Sequence, residues 1–201
     1  MSHYQPTICV ITPTIGRPTL KRTLESGQLT GGDQWLLLSD GHQPDVHELW
    51  NRLKADRPYL HWLGTRVQKG EYGNLLRDTA MSLSKKDYFI FLDDDDIFAP
   101  NAIDIIKREI ALYYPNPIMF KMINGNGEIL WKTRDVTPGN VGGSMFCCPN
   151  NRDRLATWAN GAGHRSDFEF IRGTLEKYGA DWRQQLRWSG DVIIHCRPED
   201  I

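Results

Sequence analysis

Residues 88–100 read YFIFLDDDDIFAP: five apolar residues, four consecutive aspartates, and a short apolar stretch closed by Pro100. A continuous apolar run of this length, rich in aromatic and β-branched residues, predicts a strand at Tyr88–Leu92 buried on both faces, as in a parallel sheet. The aspartates follow at once. At an effective dielectric near 20, two carboxylates a few Å apart repel by about 4 kcal/mol. Clustering becomes favourable where a divalent cation sits among them, and short carboxylates supply hard oxygen ligands suited to Mg²⁺ or Mn²⁺. The alternative is a solvated acidic turn in which Asp96 or Asn101 caps the next helix.

Working outward, apolar segments alternate with helical periodicity. Strands are predicted at Thr7–Pro13, Gln34–Ser39 and Leu60–Val67. Helices are predicted from Pro18, over Asp45–Ala55, over Tyr72–Leu83 and over Asn101–Tyr113, where Ile103, Ile106 and Ile110 make a core stripe. Strands alternating with helices mean βαβ units and a mostly parallel sheet. After residue 115 the pattern becomes mixed α+β. Ile118–Ile123 and Glu128–Lys132 flank Asn-Gly-Asn-Gly, a hairpin signal. A strand interrupted by Gly142-Gly143 is predicted at Val141–Cys148, a helix at Asp167–Tyr178 and a last strand at Val192–Cys196. In open α/β sheets ligands bind beyond the carboxyl ends of the strands. Three such ends carry polar residues: Pro13-Thr14, Asp40-Gly41 and Asp93–Asp96.

The 201 residues suit one domain, residues 1–201, with about 1–100 and about 101–201 as its halves. With 24 Lys and Arg against 25 Asp and Glu, bulk charge does not hold this chain to nucleic acid or membrane. No apolar run approaches the roughly 18 residues of a membrane span, and the first residues lack the pattern of a signal peptide. The 4 cysteines, Cys9, Cys147, Cys148 and Cys196, form no CxxC pair and are expected as thiols in a cytoplasmic protein, host cytoplasm if viral.

Phe91–Pro100 resembles the metal-binding DxD segment of GT-A-fold glycosyltransferases, in particular the inverting family-2 group. Val10–Pro18 resembles that group's opening strand and turn, Leu38–Gly41 its second-strand segment, and Gly73–Asp78 the helix start ahead of its DxD strand. The order and spacing of these fragments carry the resemblance. Ile15 and Gly16 replace the usual aromatic-Asn pair, and Asp78 stands where Asn is common, which leaves the base and the donor sugar open.

The resemblance implies a GT-A domain with a nucleotide-sugar half and an acceptor half. It implies a nucleobase contact at Asp40, base-lining contacts from Pro13 and Thr14, and a phosphate contact from Arg17, which otherwise simply opens a surface helix. Arg77 either contacts phosphate or anchors the aspartate run as a structural ion pair. Asp95 becomes a metal ligand, with Asp94 and Asp93 on the nucleotide. Asp167, in Ser166-Asp167-Phe168-Glu169, matches the catalytic base, with Glu169 as second candidate; a helix cap is the plain alternative. His195 resembles a third ligand that returns to the metal, although a lone histidine among apolar residues also fits a structural role. The implied reaction moves a sugar, UDP-linked by expectation, to a hydroxyl with inversion, helped by Mn²⁺ or Mg²⁺.

A glycan or lipid-linked sugar is one acceptor class. Hydroxymethylated pyrimidine in phage DNA is another, and Lys69, Lys85, Lys86, Arg152, Arg154, Arg165 and Arg172 would then line a groove. A nucleotidyltransferase, a metal-dependent nuclease and a non-catalytic nucleotide- or glycan-binding module are the rival readings.

Overall fold

In the computed structural model, residues 5–160 and 163–198 are described. Four parallel strands form one half of the sheet: β1 (Ile8–Thr14), β2 (Gln34–Ser39), β3 (Leu60–Gly64) and β4 (Tyr88–Phe91), in the order β3-β2-β1-β4. The connecting helices are α1 (Leu20–Glu25), α2 (Pro44–Leu53) and α3 (Asn74–Leu83). The helix α2 starts with Pro44, whose fixed φ suits a first helical position, and Asp45 complements the N-terminal dipole. Its Val46 and Leu49 face the core.

The second half continues the same sheet through β5 (Asp96–Phe98), β6 (Ile118–Ile123), β8 (Phe146–Pro149) and β9 (Arg187–Cys196), in the order β8-β6-β9-β5 beyond β4, with β7 (Ile129–Leu130) paired to β6. The helix α4 (Ala102–Tyr113) follows β5; α5 (Ser166–Glu176) and the short α6 (Trp182–Gln185) precede β9. The β4–β8 pairing is antiparallel and joins the two halves through Phe89 and Cys148. No described helix is long and apolar enough to cross a membrane. Cys9, Cys147 and Cys148 are buried free thiols.

The structure corrects three elements. Gly142-Gly143 do not interrupt a strand: Gly143–Met145 form a 3₁₀ turn, and β8 begins only at Phe146. The last strand starts five residues earlier than predicted, at Arg187, because β6 supplies a parallel partner from Ile118↔Arg187 onward. Asp96 lies in β5 and not in a capping turn, and Asn101 takes a left-handed backbone ahead of α4 with no side-chain cap bond.

Trp158 fixes the seam between the halves. It is fully buried, stacked on Phe170 of α5 (centroids 4.3 Å, 13°) and edge-on to Phe91 of β4 (4.8 Å). Trp158→Ala is expected to cost about 3–5 kcal/mol, as for other fully buried large side chains. Urea unfolding would register this; a loss below about 1 kcal/mol would mean that the ring packs loosely.

Candidate active site

The carboxyl ends of β1, β2 and β4 open on one cleft of about 470 Å³, within the range of small-molecule sites. Pro13, Thr14, Arg17, Asp40, Arg77, Asp93, Asp94, Asp95 and Asp167 all line it. Each arrives by a local device. Pro13 and Thr14 end β1. Gly73, with φ 76°, caps α3 and lies so close to Pro13 that a Cβ would come within 2.7 Å of the proline ring. Glycine is therefore required where α3 delivers Arg77 to the cleft floor.

The four aspartates do different work. Asp93 pairs with the buried guanidinium of Arg77, which also donates to the Tyr72 carbonyl at 2.7 Å and lies over the Trp158 ring at 4.7 Å. Asp94 accepts from the Thr14 hydroxyl at 2.6 Å and pairs with Arg17 at 3.5 Å, while its own carbonyl accepts from Thr19. Burial pushes its pKa up despite these partners. Asp95 holds two guanidiniums on one oxygen, Arg17 and Arg197, the latter at 3.2 Å. Asp96 points away into β9 and accepts from the Ser144 hydroxyl at 3.3 Å; burial, ahead of the Asp93 charge, pushes it up to about 7.

Asp40 accepts from the backbone N–H groups of Lys69 and Gly70 at 2.5 and 2.7 Å. It thereby pins a loop whose Gln68, Gly70 and Tyr72 form a wall of the cleft. Asp78, the residue found where Asn is common in the resembling group, accepts from the N–H groups of Trp158 and Ala159 and so anchors the 3₁₀ turn at Trp158–Asn160 to α3.

Asp167 enters from the second half of the chain at the first turn of α5, and one of its oxygens accepts from the Gly143 N–H at 2.9 Å. A Cβ on Gly143 would lie 2.7 Å from the Trp158 ring and 3.3 Å from the Asp167 carboxyl carbon, so only glycine fits beneath this carboxylate. Burial first, then the Asp93 charge, raise the Asp167 pKa; the Gly143 N–H and Arg77 oppose them. A carboxylate so placed holds a proton more tightly than an ordinary aspartate, as a general base at this position requires. Glu169 lies on the exposed side of α5 and does not line the cleft.

His195 is placed on β9 opposite Ile97 and Ile123, and it is not among the cleft residues. Arg197, two residues on, is. Among the described residues, no three His, Cys, Asp or Glu side chains converge so as to hold a metal ion by themselves. Mg²⁺ characteristically takes one or two carboxylates and completes its shell with substrate phosphates and water. Asp93, Asp94 and Asp95 are the cleft carboxylates that could contribute to such a shared site, with Asp95 at present paired to Arg17 and Arg197.

Sequence reading missed Arg197, Gly143 and the 68–72 loop. Of these, the Gly142-Gly143 pair carried a signal, since glycine within an apolar segment marks a close backbone approach. Four of the seven basic residues gather away from the cleft. Lys85, Lys86, Arg152 and Arg154 line a second groove at the opposite end of β4, where Arg152 donates to the Ser82 and Ser84 carbonyls; Arg172 pairs with Glu176 on α5. Trp188 packs edge-on against Trp131, and Arg187 lies over Tyr113, both outside the cleft.

A mostly parallel sheet flanked by helices, with its strand ends opening on this aspartate-lined cleft, is the GT-A fold. Solved structures of S. aureus TarS, a GT-A glycosyltransferase, share it: the TarS structure matches with a TM-score of 0.74 at 14% identity over 96% of this chain and 37% of that one. TarS 1–349 matches in complex with UDP-GlcNAc (TM-score 0.72, 14% identity, 94% and 58% of the two chains) and in complex with UDP (0.72, 15%, 96% and 62%). The chain thus spans less than two thirds of each of these neighbours. No family model and no curated protein matches the chain.

Proposed function

We propose that the chain is a glycosyltransferase that moves a sugar from a nucleoside diphosphate, UDP by preference, to an acceptor hydroxyl with inversion. The observation that carries this reading is the convergence of four elements on one cleft: the β1 and β2 ends, the aspartates after β4, and Asp167 from the acceptor half. The two TarS complexes, with UDP-GlcNAc and UDP, support the choice of donor. With its four thiols, the enzyme is read as cytoplasmic.

In this reading Pro13, Thr14 and Asp40 frame the nucleoside, while Arg77 and Arg17 face the diphosphate. Mn²⁺ or Mg²⁺ would be held by Asp95, with Asp93 and Asp94 on the nucleotide, and its chemistry when bound is Lewis-acid stabilisation of charge on the departing diphosphate. We place His195 outside this set, with the phosphates completing the shell. Asp167 takes the acceptor proton as its oxygen attacks the anomeric carbon. A single in-line displacement with one base inverts that carbon. The acceptor belongs to one of two classes, a glycan or lipid-linked sugar, or a hydroxymethylated pyrimidine in DNA.

The raised pKa of Asp167 sets a pH expectation. The base works only when ionised, so kcat/KM falls as pH drops through a value above the roughly 3.9 of an ordinary aspartate. A profile that stays flat down to about pH 4 would contradict the assignment.

Incubation with UDP-, GDP-, CDP- and TDP-sugars, with and without Mn²⁺, tests the function. Slow release of one nucleoside diphosphate, water serving as acceptor, is the expected result. Release of nucleoside monophosphate or pyrophosphate would instead favour nucleotidyl transfer, and no turnover of any donor a binding module.

A further inference from the structure

We infer that Arg197 is a diphosphate-binding residue that waits on Asp95 and changes partner when the donor enters. This deepens the proposed function and rests on it.

The strand β9 runs to Cys196, which pairs with Asp96 of β5. The next residue takes φ 45°, a left-handed backbone that few non-glycine residues adopt, and so leaves the strand direction. Its backbone N–H donates to Asp96 at 3.3 Å, which holds the turn in place. The side chain then reaches the cleft, with Nε 3.2 Å from Asp95. The same carboxylate oxygen already pairs with Arg17. One carboxylate therefore carries two guanidiniums whose side chains are 58% and 43% exposed.

Such an arrangement is a poor permanent ion pair. The guanidinium side of each pair is open to solvent while the Asp95 carboxylate is 11% exposed, and among the described residues Arg197 meets that carboxylate through Nε alone. A guanidinium matches a phosphate in a bidentate fork, and a diphosphate brings more charge than one carboxylate does. Exchange of Asp95 for phosphate oxygens would bring the terminal N–H groups of Arg197 onto the ligand and free Asp95 at the same moment. During transfer the acceptor oxygen bonds to the anomeric carbon and the carbon–oxygen bond to the β-phosphate breaks, its electron pair staying on phosphate. The hydroxyl proton passes to Asp167. Arg197 donates to the phosphate oxygens that gain the charge.

The test is calorimetry with EDTA present, comparing UDP with uridine as probes for wild type, Arg197→Gln and Arg197→Lys. UDP affinity is expected to fall about tenfold to a hundredfold in R197Q, with uridine affinity unchanged, as for loss of a hydrogen bond to a charged group. R197K is expected to fall between, since it keeps the charge without the fork. Melting curves should coincide, because the side chain is half exposed. If wild type prefers UDP to uridine and R197Q keeps the same preference, the role of Arg197 is overturned while the donor site stands. If wild type does not distinguish UDP from uridine with or without Mn²⁺, both the role and the proposed donor site fail.

Discussion

Asp167→Asn is expected to lower sugar transfer by roughly 10²–10⁴-fold, the usual contribution of a positioned general base. UDP affinity should stay within about twofold, because the change removes an interaction made in the transition state and not in donor binding. The geometry favours a clean result. The substituted amide would keep an oxygen for the Gly143 N–H, the contact seen at 2.9 Å, so the first turn of α5 need not move. The substitution also removes a half-buried carboxylate whose pKa is raised by its surroundings, so the variant should fold about as well as wild type. Glu169→Gln is the companion: on the exposed side of α5 it should leave transfer close to the wild-type rate. The reverse pattern would move the base to Glu169. Equal loss of UDP binding and transfer in D167N would mean that Asp167 holds the donor.

Asp95→Ala is expected to abolish the Mn²⁺-dependent part of UDP binding and to cut transfer by about 10²–10³-fold, the scale of losing several kcal/mol of charge stabilisation. Its partners Arg17 and Arg197 are half exposed, so loss of the two ion pairs should cost little stability. Binding of UDP without metal should persist, since both guanidiniums become available to phosphate. Titration of UDP into the variant with EDTA and with Mn²⁺ measures the two components separately. Retention of the full Mn²⁺ effect would assign the cation to Asp93 or Asp94.

The sequence made the first half legible because β1, β2 and β4 are buried on both faces. Val10-Ile11 and Tyr88–Leu92 admit few other structures, and the polar residues at their carboxyl ends mark the cleft. The second half was less legible, for local reasons. The strand β5 is three residues long and begins with Asp96, so it reads as part of the acidic turn. The first residues of β9, Arg187-Trp188-Ser189-Gly190, show no alternation, and the pairing with β6 that orders them is long-range. Arg197 reaches the cleft through a positive φ after a strand end, for which an arginine gives no sequence signal. His195 carried the family-based expectation, yet its register sets it beside Ile97 and Ile123. Asp167 carried an expectation from the same resemblance, and it lines the cleft together with Asp93, Asp94 and Asp95.

The central claim is that this cleft binds a nucleoside diphosphate together with a divalent cation. Calorimetric titration with UDP, GDP, CDP and TDP, each with and without Mn²⁺, tests it most directly. The account predicts binding of one nucleotide, UDP, that tightens with Mn²⁺ and loses that dependence in Asp95→Ala. Absence of binding by all four nucleotides under both conditions would contradict it and return the aspartates to a nuclease-like or purely structural role.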